Sequence, residues 1–217
     1  MPSSRLPHPP FLNMATTILN DITIETPPAE YNGAFHSDMI ILGGGKTVWE
    51  DYFTARELMP KAEIMCVNDI GTQFKAEQIH HMVSLHLGFF PATKLLRREK
   101  SMLEKYVNHC SIDGAGVDVV WRMQNVGGTG GLFATKIAMA MGSKHIIICG
   151  IPMDNTGHYF DPPDAVKNHT TKFSENHCNM KPWIDMKKSG IAMDRVRSMG
   201  GHTAGIFGKP TKEWVQT

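Results

Sequence analysis

Two glycine-rich turns follow or precede short apolar runs in this sequence, and each could let backbone N–H groups approach an anion. The first, Gly43-Gly44-Gly45, follows the apolar run Met39–Leu42, and the second extends from Gly127 to Gly131. Free N–H groups at the start of a helix bind phosphate or carboxylate groups. The first turn has neither the spacing of a Walker-type loop nor that of a dinucleotide-binding fingerprint. For both turns, a purely structural role stays open as the alternative. The residues that we expect at the anion site are Gly44, Gly45, Gly130 and Gly131.

Polar side chains follow two other apolar runs. Asn68 and Asp69 come directly after Ile64–Val67, and Asp154 follows Ile146–Cys149. In open α/β sheets, ligands bind outside the carboxyl ends of the strands. An Asn there could pair with a base or ribose edge, and an Asp could hold a ribose hydroxyl or a metal ion. The alternative for Asn68 and Asp69 is the start of a turn, and for Asp154 a solvated carboxylate.

Histidines in the last third of the chain are candidates for acid–base chemistry. These are His158, His169, His177 and His202. Their spacing forms neither HxH nor HExxH, so no zinc site is predicted. We expect His177 to be the general base, because a histidine in a Pro-rich segment above an anion site can take a proton from an acceptor. A solvated loop histidine is the alternative.

The elements that must position these residues alternate between apolar runs and helical patterns. Predicted strands are Met39–Leu42, Ile64–Val67, Met82–Leu85, Val117–Trp121 and Ile146–Cys149. Predicted helices are Thr47–Leu58, Ala76–His81, Thr93–Val107 and Leu132–Met141, with Thr129 as the N-cap of the last one. This alternation predicts an α/β fold with a Rossmann-like, doubly wound and mainly parallel sheet.

The two ends of the chain lack this regular pattern. Residues 1–36 are expected to form an irregular arm, with a short strand near Ile22–Ile24, and residues 37–217 a single domain. The arm could cover the domain or pack on a second subunit, which leaves a homo-oligomer open. Within the domain, residues 151–182 are Pro-rich and poorly periodic, which is typical of a lid. A last helix is expected from Pro182 or Trp183 to about Met199, and one more strand after it.

Composition narrows the class of partner. The 217 residues carry 22 basic and 21 acidic side chains, so charge gives no argument for binding nucleic acid. No apolar run approaches the roughly 20 residues that cross a bilayer. The N-terminus lacks the apolar segment of a secretory signal, and none of the four cysteines forms a CxxC pair. We therefore expect a cytoplasmic protein with free thiols and no membrane span.

Three segments resemble a known family. These are Thr129-Gly130-Gly131-Leu132-Phe133-Ala134, the run Ile146-Ile147-Ile148-Cys149-Gly150-Ile151-Pro152-Met153-Asp154, and Gly157-His158-Tyr159-Phe160-Asp161. Together with Gly43-Gly44-Gly45-Lys46 and Cys66-Val67-Asn68, they are similar to motifs of the bacterial sialyltransferases that modify lipooligosaccharide. The archaeal-type 6-hydroxymethylpterin diphosphokinases share much of this plan, as do uncharacterised domains of bacteria and phages. The resemblance covers about residues 38–180.

The resemblance implies a role for individual residues. In the sialyltransferases, the cytidine nucleotide contacts positions that correspond here to Gly44, Gly45, Asn68, Thr129 and Gly130. Their catalytic histidine lies in the lid before a terminal helix, and His177 is the nearest equivalent. Tyr159 is the nearest equivalent of the tyrosines that steady the leaving phosphate.

Three functions are therefore kept as hypotheses. The leading one is a transferase that uses a nucleotide-activated donor, above all a nucleotide sugar. The second is diphosphate transfer from ATP, with Mg²⁺ held by Asp69 and Asp154. The third is a protein that binds a nucleotide without turnover. No other cofactor and no metal is expected under the first or third hypothesis.

Overall fold

The computed structural model describes residues 17–19, 22–24, 37–102, 105–123, 126, 129–154, 156–161, 180–190 and 194–217. Two short strands, β1 (Thr17–Leu19) and β2 (Ile22–Ile24), form an antiparallel pair. The strands of the main sheet are β3 (Met39–Leu42), β4 (Glu63–Val67), β5 (His81–Val83), β6 (Val107–Cys110), β7 (Val119–Val120), β8 (Ile146–Cys149) and β9 (Val196–Ser198). The helices are α1 (Val48–Leu58), α2 (Phe89–Glu99), α3 (Gly130–Met141), α4 (Lys181–Lys188) and α5 (Gly201–Phe207).

The main sheet has seven parallel strands in the order β7-β6-β5-β4-β3-β8-β9. Met39 at the start of β3 pairs with Glu63 of β4 on one side and with Ile146 of β8 on the other. These three strands are almost wholly apolar because both of their faces are covered. The predicted α/β fold with a parallel sheet is therefore confirmed.

Helices cover both faces of the sheet. Helix α1 packs on the face that carries Ile40 and Leu42, together with Trp214 near the C-terminus. Helices α3, α4 and α5 pack on the opposite face, which carries Met39 and Ile41. None of the helices described is long and apolar enough to cross a membrane.

In the middle of the chain, one predicted helix is absent and another has the wrong bounds. Residues 76–81 form no helix, because His80 lies alongside β4: its N–H donates to the Ile64 carbonyl, and the Ile64 N–H donates to His80 Nδ1. The helix predicted to extend to Val107 is α2, which begins earlier and ends at Glu99. Ser101 follows it with a φ of 54°, a left-handed conformation that ends a helix.

The C-terminal elements also differ from the prediction. The last helix does not reach Met199, because α4 ends at Lys188 and Gly190 follows with a φ of 74°. Residues 196–198 form β9, which extends the sheet next to β8. The segment after Gly200 is the helix α5 and not a strand.

A buried chain of hydrogen bonds crosses β4, β5 and β6 and ends just after β7. Trp121 Nε1 donates to His109 Nδ1 at 2.9 Å, His109 Nε2 lies 2.9 Å from His81 Nδ1, and His81 Nε2 lies 2.9 Å from Glu63 Oε2. The indole can only donate, so neutral His109 carries its proton on Nε2 and donates to His81, which in turn donates to Glu63. Burial lowers the pKa of His109 well below its usual value.

We expect this series of buried hydrogen bonds to make the stability of the fold sensitive to acid. The unfolded chain takes up a proton on His109 near pH 6.5, whereas the folded chain does not, so stability is lost as the pH falls below about 6.5. The loss approaches about 1.4 kcal/mol per pH unit for one such group. Denaturant unfolding at pH 7.5, 6.5, 6.0 and 5.5 measures it, and His109→Gln should flatten the slope between pH 6.5 and 5.5. Equal slopes for the parent and the variant would contradict this prediction.

Candidate functional site

The carboxyl ends of β3, β4 and β8 meet at one edge of the sheet, and the direction of winding changes there. After β3 the chain enters α1 on one face, whereas after β8 it leads towards α4 on the other face. The crevice between two such strands is where open α/β sheets bind ligands. The first glycine turn and residues 150–154 therefore lie at the switch point of the sheet.

Most of the first glycine turn is used by the fold itself. The Gly43 N–H donates to the Cys149 carbonyl at 2.9 Å, and the Gly45 N–H donates to the Gly150 carbonyl at 2.7 Å. A Cβ on Gly45 would lie 2.6 Å from that Gly150 oxygen, so only glycine permits this approach. A phosphate at Gly45 would have to compete with the existing hydrogen bond.

Gly44 is the position in this turn that faces other candidate residues. A Cβ placed on Gly44 would lie 3.2 Å from His158 Cδ2 and 3.8 Å from Asp69 Oδ1. Gly44 also accepts a hydrogen bond from the Tyr159 N–H at 3.0 Å. Three predicted site residues, Gly44, Asp69 and Tyr159, are thus brought together with His158.

The first part of the expected lid folds back over this turn. His158 pairs with Gly45 in an antiparallel bridge, and the Tyr159 ring packs edge-on against Trp49 with 5.8 Å between centroids. The His158 ring stacks on Phe160 at 5.0 Å. The continuation of the lid, residues 162–179, lies outside the described residues, and His177 with it. The role of His177 therefore stays a prediction.

Asn68 and Asp69 open a 3₁₀ turn, Asn68–Thr72, directly after β4. Buried Arg97 of α2 holds this turn by donating to the Gly71 carbonyl at 2.6 Å. Asn68 has a φ of 56°, a left-handed conformation that Asn tolerates better than most residues. Its Oδ1 atom is buried and has no hydrogen-bond partner within the described part of the chain. A buried amide oxygen without a donor costs about 1–3 kcal/mol, so the site has a vacant acceptor.

The carboxyl group of Asp69 is half-buried among titratable neighbours. Burial raises the pKa of Asp69, and the nearby charge of His158 opposes this shift. Burial, together with the negative charge of Asp69, raises the pKa of Tyr159 to about 12. Asp69 therefore interacts electrostatically with both His158 and Tyr159, and groups with perturbed pKa values, such as Asp69 and Tyr159, are enriched at functional sites.

The second glycine turn leads into α3 beside Asn68. Thr129 occupies the N-cap position, but its hydroxyl donates to the Val126 carbonyl at 3.4 Å and caps no helix N–H. The prediction that the Thr129 side chain caps α3 is therefore wrong. A Cβ on Gly130 would lie 3.3 Å from Asn68 Nδ2. The start of α3 and the Asn68 amide are thus direct neighbours.

Gly131 and Asp154 have local roles in the fold. A Cβ on Gly131 would lie 2.9 Å from two side-chain atoms of Ile151, so this glycine allows α3 to pack on the loop after β8. The Asp154 carboxylate accepts hydrogen bonds from the N–H of Thr156 at 2.9 Å and from its hydroxyl. Within the described ranges, no three His, Cys, Asp or Glu side chains are grouped closely enough to hold a metal ion.

Asp51, which the sequence analysis did not single out, joins α1 to the switch point. Its Oδ2 accepts hydrogen bonds from the Gly150 N–H at 2.9 Å and from the Thr47 hydroxyl at 3.0 Å. Burial raises the pKa of Asp51, and the Gly150 hydrogen bond opposes that shift. An acidic residue in the first turn of a helix after a glycine turn is the only sequence signal for this role.

Comparison of the chain with protein-family models, with curated proteins and with solved structures finds no match. The resemblance to sialyltransferases and to the pterin diphosphokinases stays a prediction.

A substitution at Gly130 tests how closely the start of α3 approaches the end of β4. A Cβ on Gly130 would lie 2.8 Å from Val67 Cγ1, and Val67 is buried and stiff about χ1. Gly130→Ala should therefore lower the free energy of unfolding by about 1–3 kcal/mol, the usual cost of overpacking. Gly88→Ala is the matched control, because Gly88 has a helical φ of −60° and nothing within 4 Å of its Cβ position. Equal denaturation midpoints for the two variants would contradict the close packing at Gly130.

Proposed function

We propose that the chain is a transferase that binds a nucleotide-activated donor, specifically a nucleotide sugar, between Asn68 and the start of α3. The observation that carries the proposal is the buried Asn68 Oδ1 atom, which has no donor among the described residues. It lies next to Gly130, in the first turn of a helix whose N-cap side chain makes no cap hydrogen bond within that part of the chain. A ligand that offers both a hydrogen-bond donor and an anionic group would complement these two features.

The chemistry of the two features favours a nucleotide. The Asn68 oxygen needs an N–H or O–H donor, which an exocyclic amino group or a ribose hydroxyl supplies. The first N–H groups of α3 favour an anion, which a phosphate supplies. A nucleotide carries both kinds of group within one molecule. Asn68 also retains a left-handed backbone, and such local strain is more frequent at ligand sites than elsewhere.

The neighbouring titratable groups favour transfer over binding alone. Asp69 and His158 lie beside Gly44, and the Tyr159 N–H donates to the Gly44 carbonyl. A binding protein needs no half-buried carboxyl group beside an imidazole, whereas a transferase needs groups that accept and release a proton at the acceptor. The proposal is therefore a donor site at Asn68 and Gly130 with reactive groups beside it.

A thermal-shift panel tests the donor site. CMP, UDP, GDP, ATP and NAD are each added with and without Mg²⁺, and one of the first three should raise Tm without the metal. At 100 times the dissociation constant the stabilisation is about 2.7 kcal/mol, or several degrees for a chain of this size. A shift with ATP that requires Mg²⁺ would instead support diphosphate transfer, and a flat panel would contradict nucleotide binding.

The variant Asn68→Gly distinguishes the contribution of the Asn68 side-chain amide to binding from that of its left-handed backbone conformation. Glycine keeps the left-handed φ at no steric cost and removes the unpaired oxygen, so the free energy of unfolding without nucleotide should stay within about 1 kcal/mol of the parent. Loss of the hydrogen bond should weaken nucleotide binding by about 10-fold, measured by calorimetry. Gly205→Ala, at a position with nothing within 4 Å of its Cβ, is the control and should bind as the parent does. Unchanged affinity in Asn68→Gly would exclude Asn68 from the site.

A further inference from the structure

We infer that the ring of Phe160 is a stacking platform for the base of the nucleotide. This inference rests on the proposed donor site and adds a second subsite to it, one that takes a planar heteroaromatic ring. Phe160 is a large apolar side chain that is 56% exposed, so a ligand can reach it. It lies in the first part of the lid, two residues after His158, whose backbone pairs with Gly45 of the first glycine turn.

The Phe160 ring is supported by a continuous series of aromatic contacts that begins in the core. Buried Phe74 stacks on Trp49, with 6.4 Å between the ring centroids. Trp49 packs edge-on with Tyr159 at 5.8 Å, and Tyr159 packs edge-on with Phe160 at 5.2 Å. The exposed ring is therefore the outer end of a packed aromatic cluster and not an isolated surface side chain.

A further contact fixes the plane of the ring. Phe160 stacks on His158 with 5.0 Å between the centroids and 10° between the ring planes. The backbone on either side is also held, because the His158 N–H donates to Asp161 Oδ2 at 2.7 Å and the Tyr159 N–H donates to the Gly44 carbonyl at 3.0 Å. A side chain restrained in this way has already lost much of its rotamer freedom, so binding a ligand costs little further entropy.

The platform lies at one end of the row of residues that forms the proposed donor site. The His158 ring and the Asp69 carboxyl group both lie near the Cβ position of Gly44, at 3.2 and 3.8 Å. Asn68 precedes Asp69, and its Nδ2 atom lies 3.3 Å from the Cβ position of Gly130 at the start of α3. The platform and the start of α3 are therefore at opposite ends of this row, with the Asn68 amide between them.

A nucleotide sugar carries its parts in the same order. Its phosphate, with the sugar attached, fits the free N–H groups at the start of α3, so the base is the part that extends towards Phe160. The ribose then lies in between, and one of its hydroxyl groups supplies the donor that Asn68 Oδ1 needs. Stacking on an aromatic ring suits any base, because every base has a π face.

Affinity measurements on the full chain test the platform. The ligand is the free nucleotide that gives the largest thermal shift in the panel above, and calorimetry measures its Kd. Phe160→Ala should raise the Kd by about 5- to 100-fold, the usual contribution of stacking on one aromatic side chain. Phe160→Leu keeps apolar bulk without a π face and should still raise it by at least about threefold. Phe160→Trp restores the π face and should bind within about threefold of the parent or more tightly.

Phe53→Ala is the matched control. Phe53 is 62% exposed and also packs on an aromatic ring, that of Tyr52 at 5.2 Å, but it belongs to α1. Its removal should leave the Kd within about threefold of the parent. Without nucleotide, Phe53→Ala and Phe160→Ala should have nearly the same Tm, which shows that a loss of affinity does not come from unfolding.

The outcomes separate the platform from the donor site. If Phe160→Ala or Phe160→Leu binds as the parent does, the platform is overturned, and the donor site stands where Asn68→Gly still weakens binding. Equal losses in Phe160→Trp and Phe160→Ala would mean that Phe160 only orders the loop, which also overturns the platform. A loss in Phe160→Ala without one in Asn68→Gly supports the platform and overturns the role of Asn68. A flat nucleotide panel overturns both.

Discussion

The backbone contact between the loops that follow β3 and β8 determines the geometry of the whole ligand-facing edge. The Gly45 N–H meets the Gly150 carbonyl at 2.7 Å, which extends the pairing of the two strands beyond their ends. No side chain fits at Gly45. Gly150 is also held by its own N–H, which donates a hydrogen bond to the Asp51 carboxylate. The base of the crevice is therefore formed mainly by hydrogen-bonded backbone. The titratable side chains come from the loops that pack against this backbone.

Those side chains lie at the boundary between the apolar core and the solvent. The three central strands behind them, β3, β4 and β8, are almost wholly apolar, so polar groups at their ends are only partly solvated. This explains why burial raises the pKa of both Asp69 and Tyr159, and why one oxygen of Asn68 has no partner among the residues that the structure describes. Unfavourable features of this kind are expected where a sequence departs from the best choice for stability in favour of function.

Continuous apolar runs made the central strands predictable. Met39–Leu42 and Ile146–Cys149 agree with the structure to the residue, because a strand buried on both faces has no polar positions to obscure it. Strand β6 was missed since it contains Asn108 and His109. The partners that satisfy these polar groups, among them Asp118 and Trp121, are apparent only once the strands are paired.

The site was predictable in its positions and not in its contacts. Asn68 and Gly130 were selected because they lie at strand and helix ends, and the structure does make them neighbours. Local spacing could not reveal that the Gly45 N–H is already hydrogen-bonded to the Gly150 carbonyl, or that the Thr129 side chain does not cap α3. Nor could it reveal that the segment after Gly157 folds back and hydrogen-bonds to Gly44. Each of these depends on contacts between residues far apart in the chain.

The order of the strands has a consequence for how the protein assembles. Strand β3 pairs with β4 after a short connection, but its other neighbour, β8, comes from a distant part of the chain. Asp38 and His145, which are hydrogen-bonded at the start of these two strands, are 107 residues apart. Closing so long a loop is entropically costly and slows folding. A nascent chain that has emerged only as far as β7 therefore lacks one wall of the crevice, and the site comes into existence only when synthesis of β8 is complete.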